Sequence, residues 1–333
     1  MSDLTDTLPG KLMTATIPWM APIQDGIAAV EARLREVSPN QHDALTVAIN
    51  HLLKAGGKRV RPAICLLSAG IFSADEERSI YLAAGVEMLH TATLVHDDLI
   101  DGALLRRGVP TLNADWRPDT SVLAGDYLFA RAASFIVHAE DIAIMDVFVK
   151  TLMTVLNGEI AQRFSRWQID RQEYYQRIYA KTAAMFVLAA QAAAMLGKAD
   201  QDSLAALIEF GRSVGMAFQI VDDLLDLTGT TDQIGKPIGS DLRQGLFTLP
   251  LIYYTETHPQ DADISALLKE KNGDHPAIPR LIAKVNASGA IEASLSEARS
   301  LAAQGQRALA AFPSSTYVAA LSSLAESAVA RQL

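Results

Sequence analysis

The sequence predicts an all-α protein built as one large helical bundle. Three observations carry this. Ala, Leu, Glu, Gln and Met are abundant throughout, apolar residues recur at spacings of three and four, and no alternating strand pattern of useful length occurs. Taken in order, residues 23–37 form an amphipathic opener. Residues 44–54 form a second helix that stops at Gly56-Gly57, a C-terminal cap signal. Helices follow over 62–72, 76–104, 121–138, 141–166, 171–196, 203–227 and 246–255, with shorter ones from 263 onward. The segments 76–104 and 203–227 are long and apolar on most faces. That places them at the centre, with their acid-rich ends facing each other. Residues 1–15 carry little pattern and are expected to be disordered. Residues 229–245 break the helical pattern with Gly, Pro and Asp, either as a loop that closes over a site or as a plain connector.

Composition narrows the class of protein. The chain has 333 residues, 50% of them hydrophobic and 20% charged, which gives ample material for a core. Length alone would allow two domains, but no Ser/Gly-rich linker, charge block or low-complexity stretch divides it, so residues 1–333 read as a single domain. A formal net charge of −9 argues against nucleic acid as a partner. The one cysteine, Cys65, lies in the apolar run Ile64-Cys65-Leu66-Leu67 and reads as a core residue in a reducing cytoplasm. No secretory signal pattern opens the chain, and no run approaches the ~20 apolar residues of a membrane span.

Two acidic motifs of the same spacing stand out: Asp97-Asp98-Leu99-Ile100-Asp101 and Asp222-Asp223-Leu224-Leu225-Asp226. Residues four apart share a helix face, so Asp97 stacks on Asp101 and Asp222 on Asp226. Carboxylates on an otherwise apolar helix are costly unless a cation meets them. One copy alone could be a solvated helix end. Two copies suggest two walls of one metal site, and oxygen-only ligands suit Mg²⁺ bridged to phosphates. No His/Cys set of zinc spacing appears. Basic residues accompany the acids: Lys58, Arg59 and Arg61 at a helix start, Arg106-Arg107 just after the first motif, Lys181 mid-helix and Lys236 in the loop after the second. Such a set suits two diphosphate groups, one held through metal and one directly by cations.

These residues resemble those of the trans-isoprenyl diphosphate synthases, the polyprenyl synthetase family, of medium- to long-chain type. The resemblance rests on Gly57-Lys58-Arg59-Val60-Arg61-Pro62, the run His90-Thr91-Ala92-Thr93-Leu94-Val95-His96 before Asp97, Asp101, Arg106-Arg107-Gly108 and Gly158-Glu159. Lys181-Thr182, Gln219 with the second acidic motif, and Gly235-Lys236-Pro237 with Asp241 complete it. It is close over roughly residues 56–250. It implies the isoprenoid synthase fold, helices around a central cavity, and usually a homodimer. It implies a Mg²⁺-dependent prenyltransferase that joins isopentenyl diphosphate to an allylic diphosphate by ionisation, condensation and elimination. Both acidic motifs (Asp97, Asp98, Asp101; Asp222, Asp223, Asp226) would form the metal site, with three Mg²⁺ ions when substrate is bound. Asp97, Asp101 and Asp222, with Asp226, would grip them. Arg106, Lys181 and Lys236 would contact the allylic diphosphate. Lys58, Arg61, His90 and Arg107 would bind isopentenyl diphosphate, and Thr182 and Gln219 would line the reacting centre. His96 reads as structural. Leu246 stands where many relatives carry a second loop lysine, and Arg243 is a candidate to replace it.

In such a protein the product grows along the helix of the first motif. Ala92 and Thr93, one turn below Asp97, are small where short-chain relatives often carry Phe or Tyr, so the tunnel is expected to stay open and the product to reach geranylgeranyl or longer. Met88 and Leu89 lie a turn deeper, and Phe135 on a neighbouring helix is the expected next floor. Rival readings are a farnesyl-type short-chain synthase, a terpene cyclase, and a regulatory subunit of a heteromeric synthase. The cations Lys58, Arg59 and Arg61 argue against the cyclase, and two intact acidic motifs argue against the regulatory subunit.

Overall fold

The structure, a computed structural model, describes residues 18–54, 56–106, 108–229 and 238–330. The expectations for residues 1–15, Arg107 and Lys236 therefore lie outside the described residues.

Among the described residues the chain is all-α apart from one small hairpin. After a 3-10 turn the first four helices are α1 (Gln24–Arg35), α2 (Asp43–Lys54), α3 (Val60–Ile71) and α4 (Glu76–Ile100). The strand pair Leu105–Arg106 and Val109–Pro110 precedes α5 (Leu112–Asp115), α6 (Pro118–Val137) and α7 (Ile142–Phe164). Next come α8 (Arg171–Ile178), a π turn (Tyr179–Ala183), α9 (Ala184–Leu196) and α10 (Gln201–Thr228). The chain continues with α11 (Ser240–Arg243), α12 (Leu249–Thr257), α13 (Ala262–Glu270), α14 (Ala277–Ala287), α15 (Ala290–Ala308) and α16 (Thr316–Val329).

Side-chain caps set many of the helix starts. Asp75, Asp141, Asp170, Asp200, Asp261 and Ser315 each accept a backbone N–H from the first turn of the helix they precede. Two boundaries differ from the sequence reading. The helix of the first motif ends at Ile100, because the chain turns through Gly102 (φ 63°) into the hairpin that carries Arg106. The segment 171–196 is not one α-helix, because the π turn interrupts it at Lys181-Thr182.

The centre is occupied by α9, which packs against α3, α4, α7 and α10. Ala189, Ala190, Ala192, Ala193 and Ala194 are fully enclosed. Small side chains let α10 approach closely. A Cβ on Gly211 would lie 2.8 Å from the Phe186 carbonyl oxygen, and one on Gly215 would lie 2.6 Å from the Ala183 Cα. Thus α4 and α10 flank α9, and α9 stands between the two helices that were expected at the centre. One apolar cluster gathers around α3, α4, α6 and α9, and a second around the C-terminal half of α10 with α12, α14 and α15. Arg171–Leu196 and Gln201–Thr228 are long and apolar enough to cross a membrane, contrary to the expectation from sequence. Their apolar stretches are 78% and 56% buried within the protein, as suits helices at its core.

Candidate active site

The two acidic motifs lie near the ends of α4 and α10, which both pack against α9, and the π turn that carries Lys181 packs against α10 and α7. Lys181 Nζ lies 3.2 Å from Glu159 Oε1 on α7. Burial works against its charge, but Glu159, then Asp97 and Asp241, outweigh it and hold the ammonium above its ordinary value. Asp97 shows the complementary strain. Burial pushes its carboxyl up to about 6, Glu159 and Asp101 reinforce the rise, and Lys181 and Arg106 oppose it.

The six aspartates divide into two kinds. Asp97 and Asp101 lie at the end of α4, and Asp101 Oδ1 sits 3.6 Å from Arg163 Nη2. Asp222 is exposed on α10. The other three are engaged elsewhere. Asp98 is buried, and both its oxygens accept from Arg106 Nε, at 2.8 and 3.0 Å. It orients that guanidinium. Asp223 is buried and accepts from Tyr174 Oη at Oδ2 and from Gln219 Nε2 at Oδ1, both at 2.8 Å. Burial, then Asp241, pushes its carboxyl well above the usual range. Asp226 accepts the backbone N–H groups of Ser240 (3.2 Å) and Asp241 (3.3 Å), and so anchors the start of α11. Of the six aspartates expected at the metal site, Asp98 and Asp223 thus have buried side-chain partners and Asp226 accepts backbone N–H groups, while Asp97, Asp101 and Asp222 lie less buried.

Thr182 and Gln219 meet. Thr182 Oγ1 donates to Gln219 Oε1 at 2.5 Å, which extends the chain Thr182–Gln219–Asp223–Tyr174 from the π turn to α8. Of the residues expected to bind isopentenyl diphosphate, Lys58 is exposed just before α3, and the Arg61 guanidinium lies over the Phe186 ring, 5.1 Å from its centroid. His90 is half-buried on α4. Arg59 is structural: it bridges Glu31 on α1 and Glu87 on α4. Leu246 is buried in the turn before α12, and Arg243 Nη1 points to the Gly273 carbonyl at 3.4 Å, so Arg243 does not stand in for a loop lysine.

Below Asp97 a cavity of about 120 Å³ opens between α4, α6 and α7. Asp97, Glu159 and Lys181 are its charged lining residues, and Thr93, Phe129, Val155 and Leu156 are among its other walls. Ala92, Met88 and Leu89 are fully buried on the same helix. The expected floor residue, Phe135, packs instead against Tyr81 and Arg131. Sequence reasoning missed Phe129, Tyr174 and Arg163. Only Arg163 left a signal, since it is four residues beyond Glu159 and so one turn away on α7.

Among the described residues no three carboxylate, imidazole or thiol groups converge tightly enough to hold an ion alone. The donor set nevertheless fits Mg²⁺, which keeps several waters and takes one or two carboxylates plus substrate phosphates. Asp97 and Asp101, crowded by Glu159, and the exposed Asp222 are the candidates.

Comparison with known proteins points the same way. The sequence model of one family, polyprenyl synthetase, matches residues 42–285. The chain is 40% identical over 274 residues to a heptaprenyl diphosphate synthase component 2 from Geobacillus stearothermophilus, covering 82% of this chain and 85% of that one. It is 37% identical over 316 residues to an all-trans-nonaprenyl-diphosphate synthase (geranyl-diphosphate specific) from Rhodobacter capsulatus, covering 94% and 97%. Its fold is similar to that of a polyprenyl synthase from Caulobacter crescentus complexed with calcium and isoprenyl diphosphate, with TM-score 0.86 and 33% identity over 95% of this chain and 98% of that one. Helical architecture, two acidic motifs of matching spacing and similarity along nearly the whole length agree: the chain belongs to the polyprenyl synthetase family.

Proposed function

We propose that this chain is an all-trans polyprenyl diphosphate synthase, condensing isopentenyl diphosphate with an allylic diphosphate to a product of geranylgeranyl length or longer. One observation carries the reading: the charged Asp97, Glu159 and Lys181 line the same cavity as the apolar Phe129, Val155 and Leu156, with Thr93 one turn from Asp97. The relatives named for heptaprenyl and nonaprenyl products support a long chain.

The chain's own residues supply most of what the chemistry needs. Lys181, and Arg106 fixed by Asp98, offer positive charge to the allylic diphosphate as its C–O bond ionises. Bound Mg²⁺, held by Asp97 and Asp101 on one side and Asp222 on the other, would act as a Lewis acid on the same leaving group. Lys58, Arg61 and His90, with Arg107 and Lys236 beyond the described residues, complete the two diphosphate sites. Thr182 and Gln219, locked by their mutual bond and by Asp223, flank the reacting centre. The isopentenyl double bond then attacks C1 of the allylic cation, and a proton is lost to the departed pyrophosphate. The apolar walls around Thr93, Phe129 and Leu156 keep out water that would trap the cation.

The reading takes the whole chain as one domain, since α10 contributes to both apolar clusters. It takes the protein as a cytoplasmic enzyme, and as a homodimer because α7 exposes an apolar stripe of Ile142, Val149, Met153, Leu156, Ile160 and Phe164 that a second copy would cover. The decisive experiment supplies isopentenyl and farnesyl diphosphates with Mg²⁺ and chromatographs the products. Chains longer than farnesyl are expected, and Thr93→Phe should shorten them more than Ala92→Phe, because Thr93 lines the cavity. Products that stop at farnesyl would overturn the long-chain reading. The name of the Geobacillus relative, component 2, favours a second reading in which this chain is one subunit of a heteromeric synthase. Strict dependence of isopentenyl diphosphate consumption on a second polypeptide would select it.

A further inference from the structure

Beside the end of the first acidic motif lies a cation outside both motifs, Arg163. On α7, Glu159 and Arg163 lie one turn apart. Glu159 faces Lys181, and Arg163 faces Asp101 with Nη2 3.6 Å from Oδ1. Both side chains of the second pair are partly exposed, at 35% and 27%. A pair so exposed and so loosely made does little for folding, yet it stands where the first acidic motif ends. The other cations nearby are committed more tightly. Arg106 is bidentate on Asp98, Arg59 is held between Glu31 and Glu87, and Arg243 is turned to a backbone carbonyl. Arg163 has one long contact, so its fork of N–H donors is accessible. A planar guanidinium suits diphosphate oxygens better than it suits a single carboxylate oxygen at this distance.

We propose that Arg163 is a further binding residue for the allylic diphosphate, resting against Asp101 until the ligand arrives and then donating to its phosphate oxygens. The inference rests on the synthase reading above, which places that diphosphate at the first acidic motif. It also explains how a loop with Leu246 buried and Arg243 diverted leaves the site adequately cationic.

The test compares wild type, Arg163→Gln and Arg163→Lys in two assays. Steady-state kinetics with Mg²⁺ should show the allylic KM of Arg163→Gln raised about tenfold with the isopentenyl KM little changed, and Arg163→Lys intermediate. Calorimetric titration with inorganic pyrophosphate and Mg²⁺ should show a similar loss of affinity without turnover. Thermal melting of the ligand-free variants should match wild type. Unchanged allylic KM and pyrophosphate affinity in Arg163→Gln would overturn the proposal, as would an equal rise in both KM values. An inactive wild-type chain would overturn the synthase reading, while the pyrophosphate titration would still decide the role of Arg163.

Discussion

Tyr174 shows how a residue far from the chemistry can hold it in place. Its fully buried hydroxyl donates to Asp223, whose other oxygen is taken by Gln219, which in turn accepts from Thr182. Tyr174→Phe would leave a buried carboxylate oxygen without that donor, at a cost of about 1–3 kcal/mol. Urea denaturation should show that loss, and turnover should fall as Gln219 and Thr182 lose their fixed geometry. The same network marks the limit of sequence reading at this scale. Spacing shows that Asp97 and Asp101 share a helix face, because that depends only on helix geometry. It cannot show that Asp98 belongs to Arg106, or Asp223 to a tyrosine 49 positions away, because those partners are chosen by the tertiary fold. Six like carboxylates in the sequence therefore divide into ligand candidates and anchors only once their neighbours are known.

Between helices, Asp261 does comparable work. It caps α13 through the N–H groups of Asp263 and Ile264, accepts Lys284 Nζ from α14 at 2.7 Å, and accepts Tyr254 Oη from α12 at 3.0 Å. Burial would raise its carboxyl, but Lys284 and the cap outweigh burial and bring it down to about 2. The folded value lies below the ordinary ~3.9, so this contribution is present above about pH 4 and lost as pH falls from there towards 2. Asp261→Asn should flatten that acid limb of a stability–pH profile and cost about 1 kcal/mol at neutral pH through the lost charge pair with Lys284, since Asn caps a helix as well as Asp. Most helices were legible to within a few residues, since periodicity and caps are local signals. The failures are local too. The π turn inside 171–196 leaves apolar composition untouched, and the strand pair after Gly102 is too short to show alternation. Both misread places carry site residues, Lys181 with Thr182 in one and Arg106 in the other, and functional geometry often breaks regular structure there.

For the molecule as a whole, α7 is the element least explained by one chain. Ile142 and Phe164 are 84% and 83% exposed at its two ends, and the residues between them continue the same face. Sedimentation should find a particle of twice the 35.9 kDa chain mass, and Met153→Asp should halve it. The sequence could not reveal this, because an apolar helix face reads alike whether its own chain or another copy covers it. One residue of that stripe has a second duty. Leu156 lies on the outer face of α7 and also lines the cavity below Asp97. In the homodimer proposed above, the partition between the cavity and a neighbouring subunit would be one side chain thick there, and the ruler would be built partly into the seam between two copies.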